Sequence, residues 1–411
     1  MFLNRRALFV EFFDRVICRY MKQACLFEWV DSPEKVVAAA RELKKESMVA
    51  LDTEFIRETT FFPVIALIQI ATKERCWLID PVQLGRSELE PLFQVLVDQT
   101  IQKAMHAAYG DQECFYYKYG FVVSPVVDTS VAAALTGYGD NVGLARLLKA
   151  VIGVSLPKGR SRVHWLSRPL ASELLDYAAK DVVHLVALAE KMLEFAERLG
   201  RKDWLVEVSR VQAEALDRSS ESVAARMVHA SSEGDSTLGC LYELALWREQ
   251  RARQCDRPRG WVADNSVLMA LARSQPRKLE ELSQFRGLTR KEIEQSGSQI
   301  LQAVERGKAR LIEKNSLLAD PPSEDEEQVV SLLKSFVAIL SNKHRIAARL
   351  ILPSDQMLAL IRGVGQGTAY WVDQKVLTSQ AARLVGGDLE RFLSGRFALA
   401  VERGQLVVIE K

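Results

Sequence analysis

The sequence predicts an α/β domain, a mixed sheet flanked by helices, followed by two all-α helical-bundle domains. Three observations predict this. Three closely spaced apolar runs read as strands, and they give way to helical periodicity alternating with two further short strands, the order of a mixed sheet with helices on its faces. From about Met192 onward only helical periods remain. Two polar stretches divide that second half: 219–236, rich in Ser, Glu and Gly, and 320–327, acidic and containing proline. A chain of 411 residues accommodates two or three domains. The expected boundaries are an N-terminal extension at 1–26, the α/β domain at 27–218 and helical modules at 234–314 and 325–411.

Composition narrows the class. With 48% hydrophobic and 26% charged residues the chain can bury a core and remain soluble, which excludes disorder throughout. Its formal net charge of +2 creates no global positive field, so any nucleic-acid affinity must come from local basic patches. The cysteines, Cys18, Cys25, Cys76, Cys114, Cys240 and Cys255, form no C-x-x-C pair, which argues against a zinc site and a disulfide framework and for a reducing cytoplasm. Met1 to Leu26 begins like a signal peptide with Arg5 and Arg6, but Glu11, Asp14, Arg15 and Arg19 interrupt the apolar run. It reads as an amphipathic extension rather than a membrane span, with Met21 as an alternative start.

The elements follow in order. Ser32 capping and Pro33 in the first turn start a helix that runs to Lys44-Lys45. Val49–Phe55, Ile65–Ile70 and Cys76–Asp80 read as strands joined by short connections, which favour antiparallel pairing. A helix over Leu89–Leu96, a strand at Lys103–His106, a helix over Tyr109–Lys118 and a strand at Pro125–Asp128 come next. Helices are expected near 130–135, 144–151 and 174–185, and a charged helix from Met192 to about Arg218 leads into the linker. Leu241 to Trp247 opens the first helical module, with further helices over 265–273 and 276–285. The second module, with Leu332–Leu340, the basic loop Lys343-His344-Arg345 and a helix start at Pro353-Ser354-Asp355, faintly repeats that layout.

Acids interrupt this pattern where a core is expected. Asp52 and Glu54 lie two apart on an apolar strand and so share a face; burying both is costly unless a cation sits between them, although an isolated D-x-E at a strand end can simply reach water. A divalent metal with hard oxygen ligands is the simplest such cation. Asp111 falls where a strand leads into a helix, a common place for a site and equally a position for a helix-dipole partner. Tyr177 and Asp181 are four apart and share a helix face, opposite an apolar surface that suits an ordinary amphipathic helix as well.

Taken in order, D-x-E on a strand, D at a strand-to-helix junction and Y-x-x-x-D on a helix resemble the three exonuclease motifs of the DEDD superfamily, in its tyrosine-bearing subclass. The resemblance is strongest to the ribonuclease D family. Asp52-Thr53-Glu54-Phe55 followed by Leu67-Ile68-Gln69-Ile70, His106 ahead of Asp111, and Trp165 to Leu170 ahead of Tyr177 all carry it. One departure is Val163-His164 before Trp165, where the family has a small hydroxyl residue and Asp. In the second half, Trp247-Arg248-Glu249 through Pro258-Arg259-Gly260-Trp261 resembles the helicase-and-RNase-D C-terminal (HRDC) domain.

The resemblance implies a ribonuclease H-like exonuclease fold with two C-terminal HRDC domains. It implies a 3′-to-5′ exoribonuclease that trims structured RNA such as transfer-RNA precursors by two-metal hydrolysis, with Mg²⁺ or Mn²⁺ held by Asp52, Glu54, Asp111 and Asp181 and with Tyr177 orienting the attacking water. Gln69, His106 and Phe55 are expected near the substrate's 3′ end, and Lys158 and Arg162 at its phosphates. Trp165, Arg168 and Pro169 could clamp the strand by stacking and phosphate contact, but the favoured expectation is that Trp165 and Pro169 pack the helix carrying Tyr177, with Arg168 as a structural ion-pair partner. Arg248, Arg251, Arg253, Arg257 and Arg259, with Trp261, are expected to meet nucleic-acid backbone. A monomer acting without a membrane is expected. A proofreading-type DNA exonuclease and a catalytically silent RNA-binding scaffold are the alternatives.

Overall fold

A computed structural model describes residues 27–156, 164–214, 216, 219–229, 231, 234–310 and 322–411. The N-terminal extension, with its two candidate starts, and the segment carrying Lys158 and Arg162 lie outside the described residues. The elements of the first half are β1 (Phe27–Val30), α1 (Pro33–Leu43), β2 (Met48–Ile56), β3 (Val64–Ala71), β4 (Cys76–Ile79), α2 (Arg86–Val97), β5 (Gln102–Met105), α3 (Tyr109–Tyr119), β6 (Val126–Asp128), α4 (Thr129–Thr136), α5 (Leu144–Ile152), α6 (Ser172–Val182), α7 (Leu185–Arg198) and α8 (Lys202–Glu214).

The strands form one mixed sheet in the order β1-β4-β3-β2-β5-β6. The connections β2–β3 and β3–β4 are antiparallel, as their short loops require, whereas β1–β4, β2–β5 and β5–β6 are parallel. Alternation along β2 and β3 sorts their side chains between two cores. Val49, Leu51, Ile68 and Ile70 join α1, α2 and α3 on one face. Ala50, Leu67 and Ala71 join α4, α6 and α7 on the other. Asp52 and Glu54 continue the Ala50 face of the central strand. A bulge between Glu54 and Phe55 breaks the ladder with β3 beside them, which adds local twist at the acidic end of the strand.

The second half comprises α9 (Ser220–His229), α10 (Asp235–Gln254), α11 (Arg259–Val262), α12 (Asn265–Ser274), α13 (Leu279–Leu282), α14 (Arg290–Ala309), α15 (Glu324–His344), α16 (Ala348–Ile351), a 3₁₀ turn (Ser354–Gln356), α17 (Met357–Arg362), α18 (Thr368–Asp373) and α19 (Ser379–Leu393). It ends in a hairpin, β7 (Phe397–Glu402) with β8 (Gln405–Glu410). No helix of the described residues is long and apolar enough to cross a membrane.

Several expectations are corrected. β1 was not anticipated; its four residues are too short a run to show a period and are fixed by pairing with β4. The charged helix beyond Met192 is two helices, because Gly200 adopts φ +66 and the Arg201 N–H turns back to the Ala196 carbonyl, closing α7 before α8 begins. The helical run through Leu185 also steps at Val183-His184. The stretch read as a linker holds α9, whose Ala224 and Val228 are buried against the first module. The helix expected over 276–285 is reduced to α13, which buries Leu282 and then turns at Gly287, where φ is +100. The second module is not all-helical, since one face of its hairpin, with Phe397, Leu399 and Val408, covers the helical core.

Candidate active site

Each acid reaches the site for a local reason. Asp52 and Glu54 share a face through strand alternation. Asp111 stands in the first turn of α3, and the turn that delivers it is braced from β6: the Asp128 carboxylate accepts the N–H groups of Ala107 and Ala108, each at 3.0 Å, and of Ser130 at 2.8 Å. That brace holds Ala107 at φ +56, a left-handed conformation an alanine adopts at a cost of about 1–3 kcal/mol. Tyr177 and Asp181 come from α6, which lies across β2, β3 and β4 with Ala178, Ala179 and Val182 buried beneath it.

The acids are electrostatic neighbours. Burial, then the charges of Asp111, Asp181 and Glu54, raise the Asp52 carboxyl well above the usual carboxylate range. Burial, then Asp181 and Asp111, push Glu54 up to about 8. Burial lifts Asp111 to about 7 against an opposing hydrogen bond from Thr53, and lifts Asp181 to about 6 against one from Tyr177. The Tyr177 hydroxyl donates to Asp181, and burial together with the surrounding acids pushes that phenol upward, so it acts as a hydrogen-bond donor rather than as a proton acceptor.

The donor set suits a hard divalent cation, because a pocket of mutually repelling carboxylates is relieved by positive charge and its oxygens match magnesium. Among the described residues no three potential ligands are already drawn into a closed metal-binding group.

The remaining expected contacts divide. Gln69 lies directly opposite Asp52 in the β2–β3 register, is fully buried, and has no partner for either amide atom among the described residues. His106 is held within the fold: its Nδ1 lies 2.8 Å from the Thr129 hydroxyl, which itself donates to the Met105 carbonyl at 3.0 Å, and its ring also bonds the Val142 backbone. Phe55 packs beside Gly110, where a Cβ would come within 3.1 Å of the ring. Trp165 is buried with its ring 6.3 Å from that of Tyr177. Arg168 is structural, bonding both oxygens of the fully buried Asp80 at 2.6 and 2.7 Å and the Ala66 carbonyl at 2.7 Å.

The basic cluster of the first module is a correction. Arg248 is buried on the Ala263 carbonyl and Asn265, Arg251 pairs with Glu292, and Arg253 and Arg259 share the buried Glu249. Arg253 and Arg259 also lie over the Phe61 ring, at 5.1 and 4.6 Å. These guanidiniums hold the module together and fasten it to the sheet domain; Arg257 and Trp261 remain exposed. Sequence reasoning also passed over Thr53, whose hydroxyl donates to Asp111 Oδ1 at 2.5 Å. Alternation sends Thr53 away from the Asp52 face, so only the position of α3 reveals that contact.

A mixed sheet with this acid cluster at its centre and a helical region behind it defines the class as a 3′-to-5′ exonuclease. The 3′-5′ exonuclease family model matches residues 27–196 and the HRDC domain model residues 237–304. Ribonuclease D of Sphingobium indicum is 33% identical over 371 residues, covering 89% of this chain and 94% of that protein. Ribonuclease D of Xanthomonas oryzae is 36% identical over 262 residues, covering 62% of this chain and 70% of that one. The crystal structure of Escherichia coli RNase D, described as an exoribonuclease involved in structured RNA processing, superposes with a TM-score of 0.75 at 26% identity, over 90% of this chain and 99% of that one.

The chain belongs to the ribonuclease D family and is a 3′-to-5′ exoribonuclease. Enzymes of this exonuclease family use divalent metal ions.

Proposed function

We propose that this exoribonuclease trims the 3′ ends of structured RNAs, transfer-RNA precursors with 3′ extensions among them, releasing nucleoside 5′-monophosphates at a site for two divalent ions, Mg²⁺ or Mn²⁺. The observation that carries this reading is the closeness of the four acids, such that the charges of Asp111 and Asp181 act on both Asp52 and Glu54 while burial raises all four carboxyls, with Tyr177 bonded to Asp181. Asp52 would serve both ions, Glu54 and Asp181 the one on the nucleophile side, and Asp111 the other. Bound divalent ions supply Lewis acidity toward phosphoryl oxygens and make water a nucleophile at neutral pH. Tyr177 holds the attacking water by a hydrogen bond and places the enzyme in the tyrosine subclass. Gln69 offers its unpartnered amide to the substrate end of the pocket.

The helical modules hold the RNA body. Trp261, 58% exposed beside exposed Arg257, suits stacking and phosphate contact on the first module. The second module is a second HRDC domain on this reading. Each begins with a long helix, α10 or α15, turns through a residue with positive φ, Asp256 or Arg345, and enters a four-residue helix. Each also closes on a long helix preceded by Leu-Thr, with Thr289 or Thr378 as the N-cap. The enzyme works as a cytoplasmic monomer, and the expected boundaries at 27–218, 234–314 and 325–411 delimit its parts.

The test offers the purified protein a transfer RNA with a 3′ extension and a DNA of matched sequence, with and without chelator and with either end labelled. Mononucleotides from the RNA's 3′ end, lost on chelation, support the proposal. Faster degradation of the DNA favours a proofreading-type exonuclease, and no product from either favours a binding scaffold.

A further inference from the structure

We propose that Thr53, the residue between the two strand acids, is a positioning residue for Asp111: its hydroxyl fixes one carboxylate oxygen so that the other is presented beside Asp52. The inference rests on the reading of Asp111 as a metal ligand and assigns a device that completes that site. Thr53 Oγ1 has one proton and donates it to Asp111 Oδ1, linking residues 58 apart in sequence. Both residues are 6% exposed, so the bond is not exchanged for water. Thr53 is itself held in the ladder opposite Ile68, and its β-branched side chain has little rotameric freedom in a strand.

The Thr53 hydroxyl is the strongest of the donors on the Asp111 carboxylate, ahead of the backbone N–H groups of Asp111 and Thr53, while Ala108 at the helix N-cap supplies no side chain and the preceding turn fixes only the backbone. Repulsion from Asp52 would turn an untethered carboxylate away, and among the charges that act on Asp52 that of Asp111 is the largest. The Thr53 hydroxyl opposes that rotation. The strand thus contributes alternately, Asp52 and Glu54 from one face and, from the other, the donor that steadies the helix acid.

Metal-free full-length protein, without RNA, is titrated with Mn²⁺ by calorimetry in five forms: wild type, Thr53→Ser, Thr53→Val, Asp111→Asn and the double variant Thr53→Val/Asp111→Asn. Melting of each metal-free form is recorded, and Thr53→Ala replaces the valine arm if that variant melts early. Outer partners of metal ligands typically contribute 10–100-fold to affinity, so Thr53→Val should bind manganese about 10–100-fold more weakly. Thr53→Ser should match wild type, and Thr53→Val should add nothing once Asp111 is Asn. The proposal is overturned if Thr53→Val binds as wild type does, if Thr53→Ser is as weak as Thr53→Val, or if Thr53→Val weakens Asp111→Asn equally. A wild type that takes up no manganese overturns the reading of the acids and this proposal with it. That result is distinct from a metal-binding wild type matched by Thr53→Val.

Discussion

Asp256 Oδ1 accepts the backbone N–H of Phe61 at 3.0 Å, and with it the N–H of Phe62 at the same distance, tying the loop that leaves the acidic strand to the first helical module. Phe61 is buried in that module's core, and the Phe62 ring packs at a tilt against Tyr117 of α3, 5.0 Å between centroids. The loop therefore touches three parts at once: β2, the helix that carries Asp111, and the HRDC domain.

Removing this clasp should loosen the module from the sheet domain. Asp256→Ala should cost about 2 kcal/mol for two bonds to a charged acceptor, and Phe61→Ala about 3–5 kcal/mol for a buried aromatic. Urea denaturation followed by tryptophan fluorescence measures both. Equal midpoints for Phe61→Ala and wild type would show that the contact is not maintained in solution.

Arg168 gives a second stability test. Its guanidinium is the bidentate partner of Asp80, whose side chain is wholly buried, so Arg168→Ala leaves a buried carboxylate without its cation and should cost about 3–5 kcal/mol. Arg168→Lys should restore little, because an ammonium cannot reproduce the fork that also reaches the Ala66 carbonyl. A clamp on the RNA strand would instead leave the denaturation midpoint unchanged and flatten the salt dependence of RNA binding.

The acids make metal-free stability fall with pH. Asp181 at about 6, Asp111 at about 7 and Glu54 at about 8 hold protons in the folded state that the unfolded chain, with ordinary carboxyls, releases near 4. Their protonated form contributes stability that is fully present below about 4 and lost as pH rises through the folded values from about 6 to about 8. The melting temperature in chelator should accordingly decline from pH 5 to pH 8.5, and added Mg²⁺ should recover most of the loss at the upper end, where deprotonated acids are free to bind it. A Glu54→Gln variant should show a shallower decline.

Much of this was legible in the sequence, for identifiable reasons. Asp52 and Glu54 stand out because charged residues break an apolar run, and β2 and β3 because they are apolar runs joined by a short loop. Asp111, Tyr177 and Asp181 are weak signals singly and gain meaning from their order. What stayed hidden depends on distant partners. Arg251, Arg253 and Arg259 look like part of a nucleic-acid patch until Glu292 and Glu249 are seen to neutralise them. α9 was concealed by polar composition, because two buried residues, Ala224 and Val228, are enough to dock it. Thr53 was hidden by the same alternation that exposed Asp52.

The residues proposed as catalytic differ in what their loss should do. On the proposed role, Tyr177→Phe removes the hydrogen bond that orients water and the one to Asp181 but leaves all four carboxylates in place, so slow hydrolysis should persist at a rate about 100-fold lower. Quenched-flow measurement of nucleotide release separates that slow rate from none.

The most direct measurement is single-turnover digestion of a 3′-extended transfer RNA by Asp52→Asn beside wild type, in Mg²⁺, with RNA binding measured on the same samples. The account predicts that Asp52→Asn still binds the RNA and releases no mononucleotide. Mononucleotide release at the wild-type rate would contradict it.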